Sequence, residues 1–112
     1  MKQRHILVVE DNPVASQQFA GVLAGQGYDV VAVRDGQAAL EFLAANPPPD
    51  LILLDLLMPV LDGWQFLNLW PQPQVPVIVA SSTTPEPDGC AGFLRKPIED
   101  EELLAEVRRC LN

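Results

Sequence analysis

Cysteine is scarce in this chain: Cys90 and Cys110 are the two thiols. They lack the spacing of a metal site and the density of a disulfide scaffold, so both are expected to be reduced and incidental. Basic residues are scarce as well, with 7 lysines and arginines against 15 acids and a net charge of -8. That balance repels a phosphate backbone and leaves no basic stripe to track one, which argues against direct DNA or RNA binding. No apolar run reaches the roughly 18 to 20 residues that span a bilayer. Met1–His5 is charged, but only Ile6–Val9 follows before Glu10, too short for a signal-peptide core of about 7 to 15 apolar residues. A soluble, cytoplasmic protein is the expectation. The turn after Ile6–Val9 has no glycine-rich fingerprint, which removes dinucleotide binding, and neither repeats nor low-complexity tracts occur. With 112 residues the chain can bury one core, so one domain, residues 1–112, and one site are expected.

What is present is a regular alternation. Ile6-Leu7-Val8-Val9 is a short, continuously apolar, β-branched run, the mark of a strand buried on both faces of a parallel sheet. Asn12-Pro13 supplies an N-cap and a proline at the first helical position, and Val14, Phe19, Val22 and Leu23 follow at helical spacing until Gly25 and Gly27. Tyr28–Val33 reads as a strand, Asp35 as a cap, and Ala38–Ala45, with Leu40 and Leu43, as a helix ended by Asn46 and three prolines. Leu51–Leu54 is a third buried strand. Asp62-Gly63 opens a short helix through Trp64, Phe66, Leu67 and Trp70, with Asp62 as its cap and the two tryptophans on different faces. Val75–Ala80 is a fourth strand and Phe93-Leu94-Arg95 a short fifth. Ile98–Leu111 closes the chain as an amphipathic helix with Leu103, Leu104, Val107 and Leu111 inward, acids in its first turn, and Arg108 and Arg109 in its last. Such alternation predicts a doubly wound parallel α/β sheet, and sheets of that kind bind ligands outside the carboxyl ends of their strands.

That rule selects Glu10 and Asp11 after the first strand, Asp55 after the third, Ser81 after the fourth and Lys96 after the fifth. Three carboxylates packed together repel strongly enough to raise their pKa values or to demand a cation, and an all-oxygen set suits Mg²⁺. The lysine then has an anionic partner. A carboxylate beside Mg²⁺ can act as a nucleophile towards phosphorus, with the metal, the ammonium and the hydroxyl sharing the charge of the transferring group. His5, the single histidine, precedes the first strand and receives no such role.

These residues resemble those of the response-regulator receiver domain, over essentially the whole chain. Ile6-Leu7-Val8-Val9-Glu10-Asp11 is similar to the family's first strand and acidic pair. Asp55-Leu56-Leu57-Met58-Pro59-Val60-Leu61-Asp62-Gly63 matches its D-x-x-M-P-x-x-D-G signature at every defined position. Pro76–Ser82 resembles the fourth strand with a switch hydroxyl at Ser81, and Phe93-Leu94-Arg95-Lys96-Pro97 the segment with the switch aromatic, the lysine, and a proline after a cis bond. The resemblance implies a five-stranded, flavodoxin-like and CheY-like sheet of order 2-1-3-4-5. It implies a phosphoacceptor at Asp55 charged from a phosphohistidine on a sensor histidine kinase or phosphotransfer protein. Asp11 would bind Mg²⁺ directly, Glu10 mainly through water, and the Leu57 carbonyl would complete the ligands. Ser81 and Phe93 would switch, Lys96 would pair with the phosphate, and an unknown downstream protein would read the result.

The sequence departs from the family between Ser81 and Phe93, where Pro85, Pro87, Gly89 and Gly92 leave a crossover near the minimum of about 10 to 12 residues. A fourth helix that is reduced or absent is expected there, which removes part of the surface that the family uses for dimerisation or output. Leu57 places an apolar side chain at the mouth of the site and is expected to slow hydrolysis of a phosphoaspartate. Two rivals carry less. An aspartate-nucleophile phosphatase resembling the haloacid dehalogenase type wants a second Asp two residues after the nucleophile, where Leu57 stands. A receiver-like scaffold that is never phosphorylated has no use for the full set of acids and lysine. No enzymatic activity beyond self-phosphorylation and self-dephosphorylation is expected.

Overall fold

The alternation read from the sequence is realised in a computed structural model that describes residues 3–55, 65, 75–82 and 90–111. The elements run β1 His5–Val9, α1 Pro13–Gly25, β2 Asp29–Val33, α2 Gly36–Ala45, β3 Leu51–Asp55, β4 Val77–Ser81, β5 Gly92–Arg95 and α3 Asp100–Leu111. The five strands are all parallel, in the order β2-β1-β3-β4-β5. Parallel neighbours need crossovers, and among the described residues α1 supplies the one from β1 to β2 on one face and α2 the one from β2 to β3 on the other. Strand alternation sorts the core accordingly. Ile6, Val8, Leu51, Leu53, Ile78, Ala80 and Leu94 pack against Phe19 and Leu23 of α1 and Leu103 and Val107 of α3. Leu7, Val9, Ile52, Leu54 and Val79 turn to the other face, against Ala39 of α2. Each such fully buried aliphatic side chain contributes about 1.5–3 kcal/mol relative to exposure.

The local signals act as expected. The Asn12 side-chain oxygen accepts from the backbone N–H groups of Val14 (2.9 Å) and Ala15 (3.2 Å) with Pro13 at the first helical position, and Asp35 Oδ1 accepts from the Ala38 N–H at 2.7 Å. α1 ends where Gly27 takes a positive φ of 92°. That conformation lets the N–H groups of Gly27 and Tyr28 return to the carbonyls of Ala24 and Leu23, a closure glycine allows without strain. In α3 the acids Asp100, Glu101 and Glu102 occupy the first turn and Arg108 and Arg109 the last. His5 is an exposed strand-start residue, as expected; its ring lies 2.9 Å from Asp29 and its N–H donates to Asp50 at 2.7 Å.

β1 and β5 each begin one residue earlier, and β3 and β4 each end one residue later, than the sequence reading; four other boundaries and one side chain differ for local reasons. α2 begins at Gly36 rather than Ala38, because the Asp35 cap bonds two residues into the helix. The second strand begins at Asp29, after the Tyr28 that closes α1. β4 begins at Val77, after Pro76, whose missing N–H cannot join a ladder between two strands. α3 begins at Asp100: Ile98 is buried ahead of it, and Glu99 caps it with a carbonyl that accepts from Leu103 and an N–H that donates to Glu102. Val14 is 73% exposed, although it was expected in the core; at 3.6 residues per turn it lies about 140° around α1 from Phe19 and about 180° from Leu23, the residues the helix buries. The helix from Asp62-Gly63 to Trp70 lies outside the described residues, as do both tryptophans and Leu57. Most of the Ser82–Gly92 crossover, where the fourth helix was expected to be reduced, lies outside them too.

Candidate functional site

The sheet register builds the site. Val9 of β1 pairs with Leu54 of β3, so the next residues along each strand, Glu10 and Asp55, come to the same level at the carboxyl end. Both are buried, at 3% and 5% exposure, while Asp11 beside them is exposed. One carboxylate oxygen from each of the three lies within 4.8 Å of the others. Asp55 pairs with Ala80 and Ser81 with Arg95, which sets Ser81 one step beyond Asp55 on β4 and delivers Lys96 just past β5. The Lys96 N–H donates to the Ser81 carbonyl at 2.9 Å, tying the two strand ends together. The Lys96-Pro97 bond is cis.

Charge is unbalanced in this pocket. Three carboxylates face one ammonium, and Lys96 Nζ donates to Glu10 Oε1 at 2.8 Å while standing 3.5 Å from Asp55 Oδ2. The other Glu10 oxygen accepts from the Asn12 N–H at 3.2 Å, so the residue that caps α1 with its side chain also holds Glu10 with its backbone. Burial works to lower the Lys96 pKa, but the hydrogen bond and charge of Glu10 and then the charge of Asp55 outweigh it, leaving it above the ordinary lysine value. Lys96 is therefore cationic throughout the physiological range. Among the described residues one ammonium stands beside three carboxylates, two of which are held out of water, and every candidate donor is oxygen. That donor set fits a hard divalent cation of the Mg²⁺ type, with exposed Asp11 on the solvent side.

Residues 6–108 match the response regulator receiver domain family. This chain belongs to that family. The receiver is 34% identical over 116 residues to the DNA-binding response regulator MtrA of Mycolicibacterium smegmatis, an alignment that takes in 96% of the chain and 50% of the relative. It is 37% identical over 111 residues to the transcriptional regulatory protein HprR of Escherichia coli, covering 92% and 49%. The chain thus spans about half the length of these relatives. Among solved structures it resembles chemotaxis response regulator CheY4 of Vibrio cholerae, with a TM-score of 0.87, 30% identity and coverage of 98% and 100%. It also resembles the signal receiver domain of a histidine kinase from Syntrophus aciditrophicus, with a TM-score of 0.84, 32% identity and coverage of 96% and 89%. The receiver is a signalling domain of two-component systems, and the expected fold and strand order are those observed.

The structure brings Glu10, Asp11, Asp55 and Lys96 into one cluster and Ser81, 1% exposed, to its border. Phe93 is half-buried and packs with Leu7, Val9, Ile52, Leu54 and Val79 on the α2 face; by strand alternation Ser81 faces that same side. The preference of Lys96 for Glu10 over Asp55 was not visible from the sequence. The one signal for it is that glutamate carries one methylene more than aspartate and so reaches further across the strand ends. Among the described residues no helix is long and apolar enough to cross a membrane.

Proposed function

We propose that this receiver accepts a phosphoryl group on Asp55 and thereby switches a protein–protein interaction. The observation that carries the reading is the buried Asp55 carboxylate, within 4.8 Å of two further acids and 3.5 Å from Lys96. Glu10, Asp11 and Asp55, with the Leu57 carbonyl, are the groups that would hold Mg²⁺. When bound, the ion would neutralise the negative charge that otherwise repels an incoming phosphate. An Asp55 oxygen attacks phosphorus and forms an acyl phosphate while the P–N bond of a donor phosphohistidine breaks. The imidazole nitrogen leaves with the bonding pair and takes up a proton. Lys96, already poised between Glu10 and Asp55, pairs with the phosphoryl oxygens, and the Ser81 hydroxyl donates to one of them. Those new contacts favour a conformation in which Ser81 and Phe93 are rearranged, a population shift whose size is set by their differential free energy.

The donor would be a sensor histidine kinase or a phosphotransfer protein, which places the work in the cytoplasm, and the reader a further protein. DNA binding belongs to the names of relatives twice this length. The match of residues 6–108 to the receiver family and the net charge of -8 support a receiver role for this stretch and no direct nucleic-acid contact. Incubation with acetyl phosphate and Mg²⁺ followed by intact-mass measurement tests the reading. Gain of one phosphoryl group, lost when the metal is chelated, is the expected result; an unchanged wild-type mass would leave a constitutive scaffold as the better account.

A further inference from the structure

Arg109 and Glu106 form a two-point pair on α3, with Arg109 Nε 2.8 Å from Glu106 Oε1 and Nη2 3.0 Å from Oε2. An exposed pair three residues apart on a helix ordinarily contributes little. This one has a second set of partners. Arg109 Nη2 donates to the Ala91 carbonyl at 2.7 Å, and the Glu106 carboxylate lies against Gly92, with the Phe93 N–H among the groups that hold its pKa down. Ala91 and Phe93 flank Gly92, the first residue of β5, and among the described residues β5 pairs with β4 alone. Its other side is an open sheet edge.

In a parallel ladder one residue of a neighbouring strand makes two bonds. Its N–H donates to the carbonyl before the residue it faces, and its carbonyl accepts from the N–H after that residue. Around Gly92 those two groups are the Ala91 carbonyl, which Arg109 engages, and the Phe93 N–H, next to the Gly92 position against which the Glu106 carboxylate lies. The residue in the middle is the one with no side chain to obstruct them: a Cβ on Gly92 would stand 2.6 Å from Glu106 Oε2 and 3.0 Å from Arg109 Nη2. We propose that the Glu106–Arg109 pair stands in for one residue of a missing neighbour strand, closing the open edge of β5 and tying the Phe93 backbone to α3. Open edges expose unpaired backbone groups and invite wrong pairing; here a side-chain pair supplies the satisfaction a sixth strand would give. The device is independent of the phosphoacceptor chemistry, although it acts on the strand that carries Phe93.

Amide hydrogen exchange by NMR, without metal or phosphate donor, tests it. The Ala91 and Lys96 amides serve as internal references, because they donate into the sheet to Val77 and Ser81. In Glu106→Ala the Phe93 amide is expected to exchange about tenfold faster or more while the two references change by less than about threefold, the pattern of a local opening. Glu106→Gln keeps an acceptor oxygen and should retain most of the protection. Gly92→Ala places a methyl where the carboxylate sits and should reproduce the loss at Phe93. An unchanged Phe93 amide in Glu106→Ala would overturn the proposal, and so would parallel loss at Phe93, Ala91 and Lys96, which would make the pair an ordinary contribution to global stability.

Discussion

Replacing Lys96 by methionine removes the cation that pairs with the buried Glu10 and Asp55. Glu10 and Asp55 side chains are 2% and 5% exposed, and Lys96 lies 2.8 and 3.5 Å from them. Removing one partner of a buried ion pair costs about 3–5 kcal/mol because a charge is left without compensation. Lys96 is itself 27% exposed, and solvent reaches the cluster from the side of Asp11, so the expected loss is about 2–3 kcal/mol. For a domain of this size that corresponds to a fall in Tm of about 6–15 °C in metal-free buffer. The same carboxylates, freed from Lys96, should be better ligands for Mg²⁺. At a concentration of about 100 times Kd a ligand contributes roughly 2.7 kcal/mol, so saturating Mg²⁺ should return Lys96→Met close to the metal-free wild type and raise its Tm by more than it raises that of the wild type. Differential scanning calorimetry of both proteins with EDTA and with Mg²⁺ reads all four values. A Tm change below about 2 °C without metal, or equal metal-induced shifts in the two proteins, would refute the reasoning.

Asp11→Asn should separate metal binding from stability. Asp11 is exposed beside two buried acids, so the substitution relieves repulsion and should leave the metal-free Tm unchanged or higher, while weakening Mg²⁺ binding about 10- to 100-fold by calorimetric titration. The Arg109 hydrogen bond holds the Glu106 carboxylate below its ordinary value of 4.5, against burial, which raises it. A depressed folded-state pKa stabilises above the unfolded value and is lost as pH falls through the folded one. Wild type should thus exceed Glu106→Gln in stability at pH 7 and lose that excess below about pH 4.5 in urea titrations; an excess that persists at pH 3 would contradict the assignment. Arg109 and Cys110 are the titratable groups facing Glu106, and neither changes charge in that range. Leu57→Asn should shorten the lifetime of the phosphorylated form severalfold in a mass-based decay assay, because a polar side chain two residues past Asp55 no longer shields the acyl phosphate; an unchanged lifetime would remove the shielding role.

The parts of the fold that local chemistry dictates were legible in the sequence. Continuous apolar runs marked β1 and β3 as buried strands, Asn12 and Asp35 marked helix starts, and the strand-end rule selected Glu10, Asp11, Asp55, Ser81 and Lys96. What the sequence concealed depends on register and reach. Val14 shares α1 with Phe19 and Leu23, but at 3.6 residues per turn it lies about 180° from Leu23 and so faces solvent. Lys96 could have faced either buried acid; the two stand at the same level, and the longer reach of Glu10 across the strand ends decides it. The spacing of Glu106 and Arg109 announced a surface pair, whereas the backbone groups they satisfy belong to Ala91 and Phe93, brought near by the crossing of α3 over β5. Pro76 moves the start of β4 to Val77, which hydrophobicity does not reveal, because a proline between valines leaves the apolar pattern intact while removing a donor.

Locating the phosphoryl group is the measurement that tests the central claim most directly. After incubation with acetyl phosphate and Mg²⁺, borohydride reduces an aspartyl phosphate to homoserine, and peptide mass spectrometry then identifies the residue converted. Conversion of Asp55 alone, absent in Asp55→Asn and in the chelated control, is the predicted result. Conversion at Glu10 or Asp11, or undiminished labelling in Asp55→Asn, would contradict the account.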